Sequence, residues 1–347
     1  MEKLNVGIIG AGRIGKVHAR TIIQGIPEAE VVSIADINLA EAENLAKRLG
    51  VKHYSNDYKD VINNPGVDAV IICSPTNTHA QYIIEAARAG KHIFCEKPID
   101  LDLETIRGAL EVVNECNVKL MVGFNRRFDS NFRKIKQMVV AGEIGDPHIL
   151  KITSRDPAPP PMDYIAISGG MFLDMTIHDF DMARFIVGSE ITDVNVDAAI
   201  MVDPRIGEAG DVDTAIITLK FENGALGVID NSRKATYGYD QRVEIFGSKG
   251  MIRVDNNAPD NHKYYNENGV HASLPLNFFM DRYTEAYERE IKDFCESIVE
   301  NKPVSVSGTD GLQAVAVGLA AKKSFSEKHA VKVAEVWDKC FQNANKA

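Results

Sequence analysis

Three groups of residues in this chain have the types and spacing to do chemistry. The first is Gly10-Ala11-Gly12-Arg13-Ile14-Gly15, a G-x-G-x-x-G with Asp36 standing 21 positions after its last glycine. Glycines so spaced permit a tight turn, close approach of the backbone to a pyrophosphate and packing of a helix on a strand, while the helix N-terminus attracts the anion. Asp36 would accept hydrogen bonds from ribose hydroxyls and repel a 2′-phosphate. The Ile37-Asn38 that follows offers no arginine to neutralise such a phosphate, so NAD is favoured over NADP. Nucleotide contacts are therefore expected at Gly10, Gly12, Arg13, Ile14, Gly15 and Asp36. The plain alternative is a structural glycine turn with a solvated Asp36, and a methyltransferase can also set a carboxylate on a ribose.

The second group lies at two later strand ends, Cys73-Ser74-Pro75-Thr76-Asn77-Thr78-His79 and Cys95-Glu96-Lys97-Pro98. Ligands of open α/β sheets sit beyond the carboxyl ends of the strands, so Ser74, Thr76, His79, Glu96 and Lys97 are expected to face the cofactor. Lys97 is the catalytic candidate, because an ammonium beside a carbinol oxygen stabilises the negative charge that develops as its proton leaves. A solvent-exposed lysine opening a loop is the alternative. The third group is Asp174, His178 and Asp181, within Gly169 to Asp181. On one continuous helix they share a face at i, i+4 and i+7. A neutral imidazole can take a hydroxyl proton while a carboxylate one turn away orients it and steadies the imidazolium. A hydrated polar face and a zinc site are the alternatives; no further His/Cys cluster supports zinc, and no metal is expected.

The elements that must position these groups are of two kinds. From Leu4 to Val122, short β-branched runs alternate with helical patterns: strands at Leu4 to Ile9, Glu30 to Ala35, His53-Tyr54, Ala69 to Cys73, His92 to Cys95 and Leu120 to Val122, with helices such as Leu39 to Leu49 between them. That alternation implies right-handed crossovers and a doubly wound parallel sheet, a Rossmann domain over 1–122. Beyond it the strands are longer: Ile149 to Arg155, Val194 to Val202, Thr214 to Phe221, Ala225 to Asn231, Arg242 to Phe246 and Met251 to Asp255. Glu222-Asn223-Gly224 and Gly247-Ser248-Lys249-Gly250 are hairpin turns. Residues 123–347 are thus expected to form an α+β domain on a largely antiparallel open sheet. In Thr214 to Phe221 apolar groups fall on both faces, which suggests that a second subunit covers one of them. Near the end, Asp310 is expected to cap a helix from Gly311 to Ser326, and the tail Gln342 to Ala347 to be mobile.

The whole-chain numbers set limits. A length of 347 residues suits about two domains, and 39 Lys+Arg against 49 Asp+Glu leave a net charge of −10 that argues against a general nucleic-acid binder. The start has no signal-like apolar stretch and no run approaches a membrane span. Five cysteines, Cys73, Cys95, Cys116, Cys295 and Cys340, are odd in number and scattered without a C-x-x-C. A reduced, cytoplasmic setting fits.

The motifs together resemble the glucose-fructose oxidoreductase and inositol dehydrogenase family over almost the whole chain. The resemblance is carried by Gly10 to Gly15, Ser74-Pro75-Thr76 with His79, Glu96-Lys97-Pro98, Gly123-Phe124-Asn125-Arg126-Arg127-Phe128, Thr153-Ser154-Arg155-Asp156-Pro157, Gly169 to Asp181, and Tyr237-Gly238-Tyr239-Asp240-Gln241. It implies a homotetramer assembled through the open sheet, with the residue matching His178 as general base, that matching Asp174 as its partner, and that matching Lys97 on the reacting oxygen. Arg127, Asp156 and one of Tyr237 or Tyr239 match positions that hold a polyol. The expected reaction is NAD-dependent oxidation of a cyclitol alcohol, with myo-inositol foremost. Another sugar or cyclitol, or a non-catalytic NAD sensor, is the rival.

Overall fold

Leu4–Ile9 (β1), Ala29–Ala35 (β2), His53–Ser55 (β3), Ala69–Ile72 (β4), His92–Glu96 (β5) and Leu120–Gly123 (β6) are short apolar strands. They pair in parallel in the order β3-β2-β1-β4-β5-β6. Every residue of β4 and β6 is buried, as strands with helices on both faces must be. The order reverses between β1 and β4, which makes the crevice beyond their carboxyl ends the ligand-binding point of such a sheet. Helices fill the crossovers; Leu39–Leu49 opens on Asn38, whose side chain accepts the Ala40 N–H, and stops at left-handed Gly50.

The computed structural model describes residues 3–337, so Cys340 and the tail Gln342 to Ala347 lie outside the described residues. The chain divides into two compact units, residues 3–128 with 285–315, and 129–284 with 316–337. This differs from a single boundary after Val122. Within the helix Thr284–Val299, Phe294 sets its ring edge-on to Phe94 of β5 at 5.8 Å, and Tyr287 does the same to His18 at 5.7 Å. Those contacts draw the segment back to the first sheet, and no local pattern announces them. Asp310 differs too. The helix Gly308–Glu327 starts before it, and Ser307 and Asp310 form a reciprocal capping box: Ser307 N–H donates to Asp310 Oδ2 at 2.8 Å, and Asp310 N–H to Ser307 Oγ at 3.3 Å.

The second unit is built on Pro147–Arg155 (β7), Ile191–Ala199 (β8), Thr214–Phe221 (β9), Leu226–Ser232 (β10), Asp240–Gly247 (β11), Met251–Val254 (β12) and Val331–Lys332 (β15), with an exposed hairpin of Lys263–Asn266 (β13) and Gly269–Ala272 (β14) that the sequence reading did not anticipate. The large sheet runs β12-β11-β7-β10-β9-β8-β15. Only β7 and β10 run parallel, so it is largely antiparallel. Along β9 burial alternates, with Ala215, Ile217, Leu219 and Phe221 inward and Ile216 48% exposed outward. Strand β8 ends at Ala199, not at Val202. The buried Asp213 carboxylate accepts the N–H groups of Met201, Val202 and Asp203 at 2.7, 2.8 and 3.1 Å and turns the chain into the helix Pro204–Glu208.

Candidate active site

In the first unit the three glycines of the turn after β1 have separate tasks. Gly10 has φ of +101°, and a Cβ there would stand 2.7 Å from the carbonyl carbon and oxygen of Cys73, at the end of β4. A Cβ on Gly15 would collide with the Gly10 carbonyl oxygen, so only glycine lets the helix Arg13–Gly25 lie on the strand. Gly12 has nothing within 4 Å of its missing Cβ and is exposed. It therefore keeps open the space in front of the helix N-terminus, where a pyrophosphate would approach. Exposed Arg13 and half-buried Ile14 begin the helix. Asp36 follows β2, and its carboxylate accepts the Ala11 N–H at 2.7 Å and the Asn38 N–H at 2.8 Å. Each oxygen has a second lone pair for a ribose hydroxyl. Ile37, 95% exposed, supplies no cation for a 2′-phosphate. The donor set fits NAD.

The strand ends β4 and β5 are tied together from beneath. His79 is 1% exposed, its Nδ1 2.7 Å from the Pro98 carbonyl oxygen and its Nε2 2.7 Å from that of Ser74. Burial pushes the imidazole below its ordinary pKa, against the two carbonyls, which favour the protonated ring. With a carbonyl facing each nitrogen, the His79 ring links the loops that follow β4 and β5. Glu96 is likewise engaged within the fold: its Oε1 lies 2.7 Å from Nε2 of His18, a fully buried ring on the helix Arg13–Gly25. His18 was missed by sequence reasoning, and nothing in its spacing marks it. Ser74 bonds through its hydroxyl to Thr78 at 2.6 Å, and Thr76 opens the turn Thr76–Thr78. Lys97 is half-buried just beyond β5. Burial pushes the thiols of Cys73 and Cys95 well up, so neither is a thiolate near neutral pH. Arg127 is 9% exposed and donates to Asp310 Oδ1 at 2.9 Å. Burial would raise the Asp310 carboxyl, but the Arg127 guanidinium and Ser307 hold it below the ordinary range.

In the second unit the expected continuous helix is broken. Met171–Asp174 and Ile177–Val187 are separate helices, joined where Thr176 N–H reaches back five residues to the Met171 carbonyl at 2.9 Å. Thr176 is held there by its hydroxyl, which donates to Asn231 Oδ1 at 2.6 Å, while Asn231 Nδ2 donates to Asp179 at 3.0 Å. Asp181 is 1% exposed and does not share an open face with the other two. Between Met171 and Phe180, Asp174 and His178 alone are not fully buried. With the helix broken between them, Asp174 ends the first segment and His178 lies in the first turn of the second, so the single shared helix face that the spacing predicts is not formed. Asp174 Oδ1 accepts the Tyr164 hydroxyl at 2.9 Å, and its Oδ2 is 3.8 Å from the buried guanidinium of Arg233, which also donates to Asp211 at 3.1 Å. Arg233 and Asp211 were not singled out in the sequence. Among the described residues no group of three or more His, Cys, Asp and Glu is placed to hold a metal ion.

Asp156 follows β7 and is half-buried, its backbone bonded to Ser232 and Ala235. The two tyrosines differ. The Tyr237 hydroxyl donates to Asp240 at 2.5 Å and accepts from Arg155 at 3.1 Å; burial and that donated bond push its pKa up. Tyr239 is 6% exposed and meets Tyr283 edge-on at 5.9 Å.

Comparison with known proteins agrees with this layout. The GFO/IDH/MocA oxidoreductase family, described by its NAD-binding Rossmann fold, matches residues 4–124, and the GFO/IDH/MocA C-terminal domain matches residues 132–253. The chain is 50% identical over 333 residues to the myo-inositol 2-dehydrogenase of Thermotoga maritima, covering 96% of this chain and 99% of that one. It is 47% identical to the inositol 2-dehydrogenase of Rhizobium meliloti, over 94% of this chain and 98% of that one. Among solved structures, the scyllo-inositol dehydrogenase of Lactobacillus casei with bound NAD(H) and scyllo-inositol superimposes with a TM-score of 0.90 at 34% identity, over 96% of this chain and all of that one. The glycine turn, Asp36, the Lys97 strand end and the Asp174 and His178 stretch all fall inside these matches, and the chain belongs to the GFO/IDH/MocA family of oxidoreductases.

Proposed function

We propose that this protein is an NAD-dependent inositol dehydrogenase, oxidising the axial secondary alcohol of myo-inositol to the 2-ketone. The chemistry is supported by Asp174 and His178 being the two residues from Met171 to Phe180 that are not fully buried, each at the end of one helix or the start of the next. NAD supplies the hydride acceptor. His178 takes the hydroxyl proton as the neutral imidazole, Asp174 orients that ring and offsets its positive charge, and Lys97 stabilises the negative charge that gathers on the oxygen. Arg127, Asp156 and Tyr237 or Tyr239 hold the remaining hydroxyls. A hydroxyl-reading pocket needs such fixed polar groups, because it discriminates by leaving them without partners when an analogue lacks a hydroxyl. The prior commitments of Arg127 to Asp310 and of Tyr237 to Asp240 mean that any hydroxyl they bind meets an already oriented group.

Replacing His178 by Ala tests the assignment. Turnover should fall at least ~10²-fold with NAD affinity nearly intact; undiminished turnover rejects His178 as the base. A spectrophotometric panel of NAD and NADP with inositol isomers and aldoses, read as kcat/KM, tests substrate and cofactor. A preference for scyllo-inositol, the ligand of the Lactobacillus casei structure, would replace the myo-inositol assignment. In this reading the enzyme works in the cytoplasm as a homotetramer, a setting supported by scattered cysteines and by apolar side chains on the outer face of the large sheet. No helix among the described residues is long and apolar enough to cross a membrane.

A further inference from the structure

Arg233 is the largest side chain among those almost wholly removed from solvent. It stands directly after β10, its backbone N–H donating to the Asp213 carbonyl at 2.8 Å, and it sends its guanidinium toward two carboxylates. Nη2 donates to Asp211 Oδ2 at 3.1 Å, and Nη1 lies 3.8 Å from Asp174 Oδ2. Asp211 in turn accepts the Met171 N–H with both oxygens, at 2.9 and 3.1 Å, where the helix Met171–Asp174 begins. Gly170, with φ of +81°, lets it come so close: a Cβ there would be 2.7 Å from Asp211 Oδ1. One guanidinium therefore braces both ends of the short helix, its first amide through Asp211 and its last side chain directly.

We infer that Arg233 is a positioning residue of the dehydrogenase, acting through Asp174 to aim the carboxylate that serves His178. The inference rests on the proposed roles of Asp174 and His178. An arginine keeps its proton under all relevant conditions and offers a rigid fork to two carboxylates at once. A lysine is a point charge on a flexible stem and satisfies one. Without the guanidinium, the Asp174 carboxylate would keep the Tyr164 hydroxyl on one oxygen and lose the cation that fixes the other. A carboxylate free to turn would not hold one oxygen toward the imidazole N–H, which is the task proposed for Asp174.

The experiment is a double-mutant cycle on the full-length enzyme with NAD and myo-inositol, using Asp174→Asn, Arg233→Met and their combination, with Arg233→Lys beside them. Arg233→Met should lower kcat by ~10-fold or more while KM for NAD changes less than ~2-fold, and Arg233→Lys should recover part of the loss. The combined variant should lose no more than about 2-fold beyond Asp174→Asn alone, because an effect routed through Asp174 has nothing left to act on. Losses that multiply, or a full kcat in Arg233→Met, overturn the inference while the base assignment stands. Full activity in Asp174→Asn overturns that assignment and the inference with it. If Arg233→Met does not fold, Arg233→Lys decides through its cycle with Asp174→Asn: a several-fold lower kcat that does not add to the Asp174→Asn loss supports the role, and an unchanged kcat overturns it.

Discussion

Glycine 12 and glycine 10 are two positions apart, and the same added methyl group should do opposite things to them. At Gly12 a Cβ meets nothing within 4 Å, and the backbone there, at φ of −71° and ψ of −163°, suits any residue. Gly12→Ala should therefore fold normally, yet place its methyl in the space that the pyrophosphate needs. We expect the thermal midpoint to move by less than ~2 °C while KM for NAD rises ~10-fold or more, the midpoint read by calorimetry and the affinity by initial rates. Gly10→Ala meets the Cys73 carbonyl at 2.7 Å with φ of +101°, so that variant should lose stability first. A Gly12→Ala enzyme with wild-type NAD affinity would remove the glycine turn from the cofactor site. At this scale the sequence is a reliable guide for groups whose task is local. Asp36 stands where the turn motif puts it, bonded to Ala11 within the motif itself. His79, Glu96 and Arg127 were recognised by position, but their polar atoms are engaged with Pro98, His18 and Asp310, partners up to 183 residues away that no spacing rule reveals.

Element boundaries follow the same division between local and distant causes. Leu4–Ile9, Leu39–Leu49 and Thr214–Phe221 begin and end where the residue pattern says, because period and caps lie within the segment. Strand β8 does not, since the alternation continues to Val202 while a distant carboxylate takes three amides out of the ladder. The helix over Asp174 and His178 breaks because Asn231, on β10, captures Thr176. The role of Asp213 can be measured. It is fully buried, and although burial would raise its carboxyl, the amides of Met201, Asp203 and Val202 and the Thr214 hydroxyl hold it below the ordinary value. A depressed folded pKa means that its contribution is complete above the unfolded value, about 3.9, and is lost as pH falls through the folded one. Asp213→Ala should cost about 2–4 kcal/mol near neutral pH, since it leaves several amides without their acceptor. The gap from wild type, followed by denaturant unfolding, should narrow in acid below pH ~4; a gap that stays constant would mean that Asp213 is not ionised in the folded protein.

For the whole molecule, the net charge of −10 describes the average surface and says little about any one site. The outer face of the large sheet carries Lys151 beside Glu244 and Arg155 paired with Asp230, so opposite charges cancel there. Across the same face runs an apolar row in strict register: Leu226 opposite Ile149, Ile149 opposite Phe246, and Phe246 opposite Met251. These four are 50, 40, 46 and 52% exposed, with Ile216 at 48% on the same side of β9. Scattered apolar residues on a surface need no explanation, but four in contact across four strands form a contiguous strip, and such strips mark interfaces. A sheet with one face on its own core and the other on a second copy accounts for the apolar groups on both sides of β9. For the proposed homotetramer, light scattering at micromolar concentration should give about four times the 38.2 kDa of one chain. Phe246→Glu with Leu226→Glu would put two like charges into a buried strip, and their desolvation and mutual repulsion should lower the mass to a dimer or monomer. Because both side chains point away from the core of their own unit, the variant should keep its secondary structure by circular dichroism. A wild-type mass of a single chain would rule out assembly through this face, and a tetramer that survives both substitutions would move the interface elsewhere.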